Sequence, residues 1–192
     1  MSGLHTDAVR VLTRWQAPDA AQDALREGYL DHLRDHPDGV WRSCVPSHLT
    51  ASALVVDATF SNVLLTLHRK GGFWSQLGGH CEPGDATLAD AALREAREES
   101  GIDGLALRPD PVDLDRHRLS SAFGTCQEHL DVRYVLVAPA GARAAVSDES
   151  DDLRWFAPDS LPDGALDVDR LVARGLARVR GTEVPPRPSA TG

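Results

Sequence analysis

A glycine-rich loop followed directly by an acidic helix is the feature that most limits how this chain can fold. The loop is Gly78-Gly79-His80-Cys81-Glu82-Pro83-Gly84-Asp85, and the segment from Ala86 to Ser100 consists almost entirely of good helix formers. Thr87 and Asp90 have the spacing of a capping box, and Gly101 stands where a left-handed C-terminal residue is expected. The sequence therefore predicts a helix with defined ends behind a flexible loop.

One stripe of this helix is small and apolar. It consists of Leu88, Ala92 and Ala96, with Ala89 and Leu93 beside it. An apolar stripe faces the core of a protein, and small residues let a helix approach its neighbour closely. We therefore expect the helix to lie close against a sheet.

Three glutamates gather elsewhere on the same helix. Glu95, Glu98 and Glu99 stand at positions i, i+3 and i+4, which places their carboxylates on one patch. Each like-charge pair at this spacing costs about 0.2–0.5 kcal/mol on an exposed helix. One explanation is a solvated charged face, helped by Arg94 and Arg97. The other is a hard cation such as Mg²⁺, which prefers oxygen ligands and to which a loop glycine carbonyl could add one. The helix alone leaves both explanations open.

Strand-like segments flank the helix in sequence. Two of them are separated by a short polar turn, residues 59–62, as in a hairpin. A later segment alternates Val132, Tyr134 and Leu136 on one face with Asp131 and Arg133 on the other. A mixed sheet with helices packed against it is the natural assembly. In chain order the segments are SALVVDA, NVLLTLHR, FWSQL, HLDVRYVLVAP and DDLRWFA.

Helical segments are predicted at both ends of the chain. Two amphipathic helices precede residue 37, with Asp19 as N-cap of the second, and ALDVDRLVARGLARV has helical spacing near the end. The final EVPPRPSATG is too rich in proline and small polar residues to pack. We therefore divide the chain into an N-terminal helical extension (1–47), a domain with a C-terminal helix (48–181) and a disordered tail (182–192).

Charge and composition exclude several classes of function. The formal net charge of −9 argues against a nucleic-acid polymer as partner, since such binding needs a basic face. No apolar run approaches the roughly 18 residues of a membrane span, and the first residues lack the apolar core of a signal peptide. We expect a cytoplasmic protein without a membrane partner. The widely spaced Cys44, Cys81 and Cys126 are expected to be free thiols.

From Gly79 to Ile102 the sequence resembles the Nudix box of the Nudix hydrolase family. That pattern is Gly, five residues, Glu, seven residues, Arg-Glu, an apolar residue, any residue, Glu-Glu, any residue, Gly and an apolar residue. One departure is that the first glutamate falls on Asp85, with eight residues instead of seven before Arg94. The flanking segments WSQLGG and DLRWFAPDSLP extend the resemblance to roughly residues 48–162. The matching residues are Gly79, Arg94, Glu95, Ala96, Glu98, Glu99, Gly101 and Ile102.

The resemblance implies an α/β fold, namely the Nudix-type α/β/α sandwich with a mixed sheet. It implies hydrolysis of a diphosphate linkage in a small molecule, a nucleoside diphosphate attached to another group. Mg²⁺, with Mn²⁺ as a substitute, would be held by Glu95, Glu98, Glu99 and the Gly79 carbonyl. Arg94 would brace Glu98 or the loop and, with Glu98 and Glu99, would make up the catalytic residues. Many relatives are dimers, so a homodimer is a further expectation.

Several points stay open at this level. The general base could be Glu98, Glu99, Glu128 or Glu149. A Nudix domain that binds a nucleotide without cleaving it is one alternative, although binding alone does not need all three helix glutamates. A diphosphate isomerase using Cys44 is another, although the residues around Cys44 do not match that motif. A purely structural acidic helix would leave the pattern from Gly79 to Ile102 unexplained.

Overall fold

Four helices and eight strands make up the part of the chain that the structure, a computed structural model, describes: residues 2–69, 71–119, 126–146, 150–165 and 168–181. The proposed tail, 182–192, lies outside these residues. None of the helices found there combines the length and apolar character that a membrane span requires. The helices are α1 (Gly3–Arg14), α2 (Ala20–Asp35), α3 (Leu88–Ser100) and α4 (Val168–Arg180). The strands are β1 (Ser47–Val56), β2 (Val63–His68), β3 (Trp74–Ser75), β4 (Leu77–His80), β5 (Ala106–Leu107), β6 (Asp113–Arg118), β7 (Glu128–Val137) and β8 (Ser150–Phe156).

Strands β1 and β7 form the parallel centre of one mixed sheet. They pair along their whole length, from Ser47 with Glu128 to Val56 with Val137. On the other edge of β1, β4 pairs with its first part and β2 with its end, both antiparallel. On the other edge of β7, β6 pairs with the first part of the strand and β5 with its end, both antiparallel. Strand β2 also pairs antiparallel with β3 and β8. The predicted mixed sheet and the β1–β2 hairpin are confirmed.

Helices cover both faces of this sheet. Successive side chains of a strand point to opposite faces, so Ala51 and Ala53 of β1 join one core cluster while Leu54 and Val56 join the other. The first cluster includes buried residues of α1, α2 and α3, and the second includes those of α4. In α4, a Cβ at Gly175 would lie 2.8 Å from Leu54 Cδ2, so α4 lies close to β1. The predicted α/β/α sandwich is confirmed.

The second N-terminal helix, α2, is joined to the sheet by buried hydrogen bonds. The Gln22 side chain donates to the Leu114 carbonyl (2.8 Å) and accepts from the Leu114 N–H (2.7 Å). The Tyr29 hydroxyl donates to the Asp115 carbonyl at 2.6 Å. Asp19 caps α2 as predicted, accepting from the Gln22 N–H. Because Leu114 and Asp115 belong to β6, α2 covers that edge of the sheet.

Candidate active site

Helix α3 starts with its first backbone donors satisfied. The Thr87 hydroxyl accepts from the Asp90 N–H at 3.0 Å, which confirms the predicted cap. A second acceptor comes from α1, where the Asp7 carboxylate accepts from the Leu88 N–H at 3.0 Å. At the other end Gly101 has φ 64°, the left-handed conformation expected of it. The start of the acidic helix is therefore fixed both locally and by the N-terminal extension.

The loop glycines bring the backbone of β4 against the glutamates of α3. The Gly78 N–H donates to Glu99 Oε2 at 3.0 Å. A Cβ at Gly79 would lie 2.8 Å from the Glu95 carboxylate. Gly78 itself has φ 154°, and a Cβ there would lie 2.2 Å from the Cβ of Ser52. Gly78 requires glycine because of its φ and the neighbouring strand, whereas a side chain at Gly79 would displace the Glu95 carboxylate.

Arg94 connects the loop to the glutamates. Its Nε and Nη2 each donate to one oxygen of Asp85 at 3.0 Å, and Nη2 also donates to the His80 carbonyl at 2.9 Å. Its Nη1 donates to Glu95 Oε1 and to Glu98 Oε2, each at 3.0 Å. The hydrogen bonds to Asp85, followed by those to Glu95, raise the pKa of Arg94. This fixed positive charge offsets the repulsion among the glutamates.

Asp85 keeps the loop joined to the helix despite the departure from the family spacing. Its carboxylate is buried, and besides its two bonds to Arg94 it accepts from the Glu82 N–H at 2.7 Å. Aspartate is one methylene shorter than glutamate, whereas the chain between this residue and Arg94 is one residue longer than the family pattern. The additional residue therefore leaves the contact between the loop acid and the helix arginine intact.

We expect Asp85→Asn to lower the free energy of unfolding by about 2–3 kcal/mol, because hydrogen bonds to charged groups contribute about 1.5–3 kcal/mol each. Asparagine keeps the shape but leaves Arg94 without its buried counter-charge. Urea denaturation measures the change. Asp103→Asn, which removes an exposed acid just beyond α3, is the matched control and should stay within about 0.5 kcal/mol of the parent protein. Equal stability of the two variants would contradict the bracing role.

The glutamates of α3 and the candidate general bases elsewhere in the chain lie in different surroundings. The Glu98 side chain is 59% exposed and the Glu95 side chain 14%. Glu128 stands at the start of β7, where its carboxylate pairs with Arg116 of β6 at 2.6 Å. Glu149 lies outside the described residues. The structure thus gathers Glu95, Glu98 and Glu99 at the glycine loop and engages Glu128 in an ion pair on the sheet.

A buried charge cluster on the opposite face of the sheet is not apparent from the sequence. Arg133, which strand alternation places away from the α3 face, has a side chain that is only 4% exposed. It pairs with Asp131 at 3.0 Å, with Asp115 at 3.0 Å and with Asp113 at 3.4 Å. Burial alone would lower the pKa of Arg133, but the three aspartates raise it. This arginine is therefore a counter-charge shared by three carboxylates, two of which, Asp113 and Asp115, also pair with Arg170.

Polar side chains from neighbouring strands complete the surroundings of Asp131. Its carboxylate accepts from the hydroxyls of Thr50 (3.0 Å) and Ser52 (2.6 Å) on β1. It also accepts from the Gln76 amide at 3.2 Å. Thr50, Ser52 and Asp131 are brought together by the pairing of β1 with β7, a register that periodicity does not reveal.

Four histidines continue the same face toward the beginning of β1 and β7. His48 of β1 stands opposite His129 of β7, which stands opposite His117 of β6, and His80 of β4 lies beside them. Ring centroids are 5.1 Å apart among His48, His80 and His129, and 5.3 Å apart between His117 and His129. Burial lowers the pKa of His80 to about 4 and, with help from the neighbouring rings, that of His129 to about 3. Both imidazoles are therefore neutral at neutral pH.

Known structures resemble this fold. One is a NUDIX-family hydrolase from Clostridium perfringens, with 21% identity and a TM-score of 0.56, covering 69% of this chain and 97% of that one. Another is the Ap4A hydrolase of C. elegans in a binary complex, with 17% identity, a TM-score of 0.56 and coverage of 69% and 98%. A third is the dihydroneopterin triphosphate pyrophosphohydrolase of E. coli, with 18% identity, a TM-score of 0.55 and coverage of 68% and 92%. At these sequence identities, the structural similarity supports the fold and nothing more specific.

The sequence itself shows the family. A search of curated proteins finds no match. The family model of the NUDIX domain, however, matches residues 46–175, which is most of the chain and includes the loop, α3 and the central strands. The chain therefore belongs to the Nudix hydrolase family.

Proposed function

We propose that this protein is a metal-dependent pyrophosphohydrolase that cleaves the diphosphate linkage of a nucleoside diphosphate attached to another group. The observation that carries the proposal is the assembly of Glu95, Glu98 and Glu99 over the Gly78-Gly79 backbone, with Arg94 bonded to two of them. A helix that only needed a solvated acidic face would not require glycine contacts and an arginine bonded to a buried loop aspartate.

The residues of this site fit a hard divalent cation. The carboxylates of Glu95, Glu98 and Glu99 and the Gly79 carbonyl offer oxygen donors only, which suits Mg²⁺, with Mn²⁺ as a substitute. A Cβ at Gly79 would fill the space beside Glu95, since it would lie 2.8 Å from that carboxylate. We assign these four residues as ligands. The bound cation would neutralise diphosphate oxygens and lower the pKa of bound water.

The side chains of the site have different tasks in this proposal. Arg94 positions Glu95 and Glu98 through Nη1, while its other two nitrogens hold Asp85 and the loop. Glu99 is anchored by the Gly78 N–H, whereas Glu98 has a largely exposed side chain that can face a substrate. We therefore favour Glu98 over Glu99 and Glu128 as the group that accepts the proton of the attacking water.

Two alternatives remain to be tested against this function. An isomerase would need a reactive thiol, but Cys44 is only 4% exposed and burial raises its pKa, which keeps the thiol protonated. A Nudix domain that only binds its ligand would keep affinity without turnover. Substrate identity calls for a broad panel, since the related structures include a hydrolase of Ap4A and a pyrophosphohydrolase of dihydroneopterin triphosphate.

The proposal also covers the domain division, the substrate class, the location and the oligomeric state of the protein. We retain residues 1–47 as a helical extension of a domain spanning 48–181, supported by the two packed helices α1 and α2. The formal charge of −9 supports a small-molecule substrate in place of a nucleic-acid polymer. A cytoplasmic location and a homodimer are retained as proposals, and gel filtration with light scattering tests the latter.

Release of phosphate or nucleotide from a panel of compounds tests the function directly. The panel contains nucleoside triphosphates, sugar nucleotides, dinucleoside polyphosphates, ADP-ribose and dinucleotide cofactors. We expect EDTA to abolish cleavage of at least one compound and Mg²⁺ or Mn²⁺ to restore it, because the ligand set holds the cation through oxygen donors. Binding of a panel member without turnover in Mg²⁺ would instead support the sensor, and turnover unaffected by EDTA would contradict the metal assignment.

A further inference from the structure

The first residue of α3 is held by a side chain that lies outside the matched family domain. The Asp7 carboxylate of α1 accepts from the Leu88 N–H at 3.0 Å, across 81 positions of the chain. The family model begins at residue 46, so the whole of α1 precedes it. Asp7 is only 7% exposed, which places this contact in the interior. The helix that carries the three glutamates therefore has a partner that the family model does not include.

The contact from Asp7 acts differently from the local cap at Thr87. The Thr87 hydroxyl accepts from the Asp90 N–H at 3.0 Å, but Thr87 adjoins α3 and moves with it. Asp7 belongs to another helix, so its bond fixes where α3 starts relative to α1. The first N–H groups of a helix have no partner within the helix, and the helix dipole favours a negative charge beside them. Arg10 of α1 pairs with the same carboxylate and orients it.

Helix α1 is itself fixed to the rest of the protein. The His5 Nε2 lies 2.8 Å from the Leu33 carbonyl of α2. The Trp15 Nε1 donates to the Pro111 carbonyl, just before β6, at 2.7 Å. Between these two contacts, a stripe of α1 is buried in the core cluster that also contains residues of α3. The stripe consists of Leu4, Ala8 and Leu12. Asp7 is therefore presented to α3 from a fixed element.

The glutamates lie farther along the helix that Asp7 holds. A helix rises about 1.5 Å per residue, so Glu95 and Glu99 lie roughly 10 and 16 Å along the axis from Leu88. Glu99 is also held by the Gly78 N–H, so α3 is fixed at both ends. A shift at the first turn is transmitted along the helix and changes the distances between the glutamates and the Gly79 carbonyl. A misplacement of about 1 Å at a site can reduce turnover by about 100-fold.

We propose that Asp7 is a positioning residue for the hydrolysis. It holds α3 so that Glu95, Glu98 and Glu99 meet the Gly79 carbonyl around one cation. This role rests on the proposed function of the α3 site. Helix α1 is then part of the catalytic domain, although the family model starts after it.

Three variants of the full-length protein separate positioning from stability. Asp7→Leu removes the acceptor of the Leu88 N–H, whereas Asp7→Asn has the same branched shape and keeps an acceptor oxygen. Gln22→Leu removes the buried hydrogen bonds between α2 and Leu114, and it is the control for a loss of stability that leaves the start of α3 untouched. Circular dichroism checks the fold, and urea midpoints compare the stabilities.

Steady-state kinetics at saturating Mg²⁺ on the best panel substrate give the decisive comparison. We expect Asp7→Leu to lower kcat by about 10–100-fold, because the glutamates move relative to the loop. Asp7→Asn should recover most of that loss. Gln22→Leu should lower the urea midpoint but leave kcat unchanged. If Asp7→Leu does not fold, Asp7→Ser, whose hydroxyl is one bond shorter than the carboxylate, replaces it in the same comparison.

The outcomes distinguish this role from the proposed function. Parent-like kcat in Asp7→Leu, an equal loss of kcat in Asp7→Asn, or a comparable loss in Gln22→Leu would each overturn the positioning role and leave the hydrolase in place. A parent protein that cleaves no panel compound with Mg²⁺ or Mn²⁺ would overturn the proposed function, and the positioning role with it.

Discussion

Glu98→Gln should reduce kcat by about 10²–10⁴-fold while the protein stays folded. Glutamine keeps the shape of the side chain but removes one ligand charge and the proton acceptor. The Glu98 side chain is 59% exposed, so the free energy of unfolding should change by no more than about 0.5 kcal/mol. Steady-state kinetics at saturating Mg²⁺ on the best panel substrate measure the effect. Unchanged turnover would refute both roles assigned to Glu98.

Two comparisons separate the roles of Glu98. Asp103→Asn removes an exposed acid just beyond the same helix and should leave kcat unchanged, which excludes a general effect of net charge. Raising the Mg²⁺ or Mn²⁺ concentration should recover activity if Glu98→Gln only weakens metal binding. If Glu98 also accepts the proton, kcat should stay low when the metal is saturating.

Arg133→Met should lower the free energy of unfolding by about 3–5 kcal/mol, the largest effect on stability that we expect. Methionine retains much of the volume but leaves Asp113, Asp115 and Asp131 without the arginine that pairs with all three. Breaking a buried pair is costly because the remaining charge is desolvated and uncompensated. Urea denaturation at neutral pH gives the value.

The matched control for Arg133→Met is Arg34→Met, because Arg34 has a side chain 67% exposed and pairs only on the helix surface. That change should stay within about 0.5 kcal/mol. The double variant Arg133→Met/Asp131→Asn should recover part of the loss, since it also removes the charge of Asp131, whereas Asp113 and Asp115 still pair with Arg170. Equal stability of the Arg133 and Arg34 variants would show that the buried aspartates do not depend on Arg133.

The stability lost in Arg133→Met should depend on pH, because the aspartates that pair with Arg133 can be protonated. Burial raises the pKa of Asp115. His117 and Arg133 together lower it by more than burial raises it, so the net shift is downward. A carboxyl group with a lowered pKa stabilises the fold above its unfolded-state pKa, and this contribution is lost as pH falls through the folded-state value. The deficit of Arg133→Met should therefore shrink in acid, because protonated carboxyl groups no longer need a counter-charge.

Much of α3 and its loop was predictable because the information is local. The cap at Thr87, the left-handed Gly101 and the gathered glutamates follow from residues at most a few positions apart. The helix starts at Leu88, directly after the cap at Thr87. The sequence also indicated the β1–β2 hairpin, the helices at both ends and free cysteines, and within the described residues Cys44, Cys81 and Cys126 are free.

The sequence by itself determined the family, the sandwich and the identity of the acidic patch, because these depend on short-range spacing and on side-chain alternation. Only the tertiary structure decided which distant groups meet. Asp7 caps α3 across 81 positions, and Arg133 reaches Asp113 across 20. Cys126 lies 78 positions from His48. Such contacts depend on strand register and helix packing, and a shift of a strand by one residue would turn strand residues such as Arg133 to the opposite face.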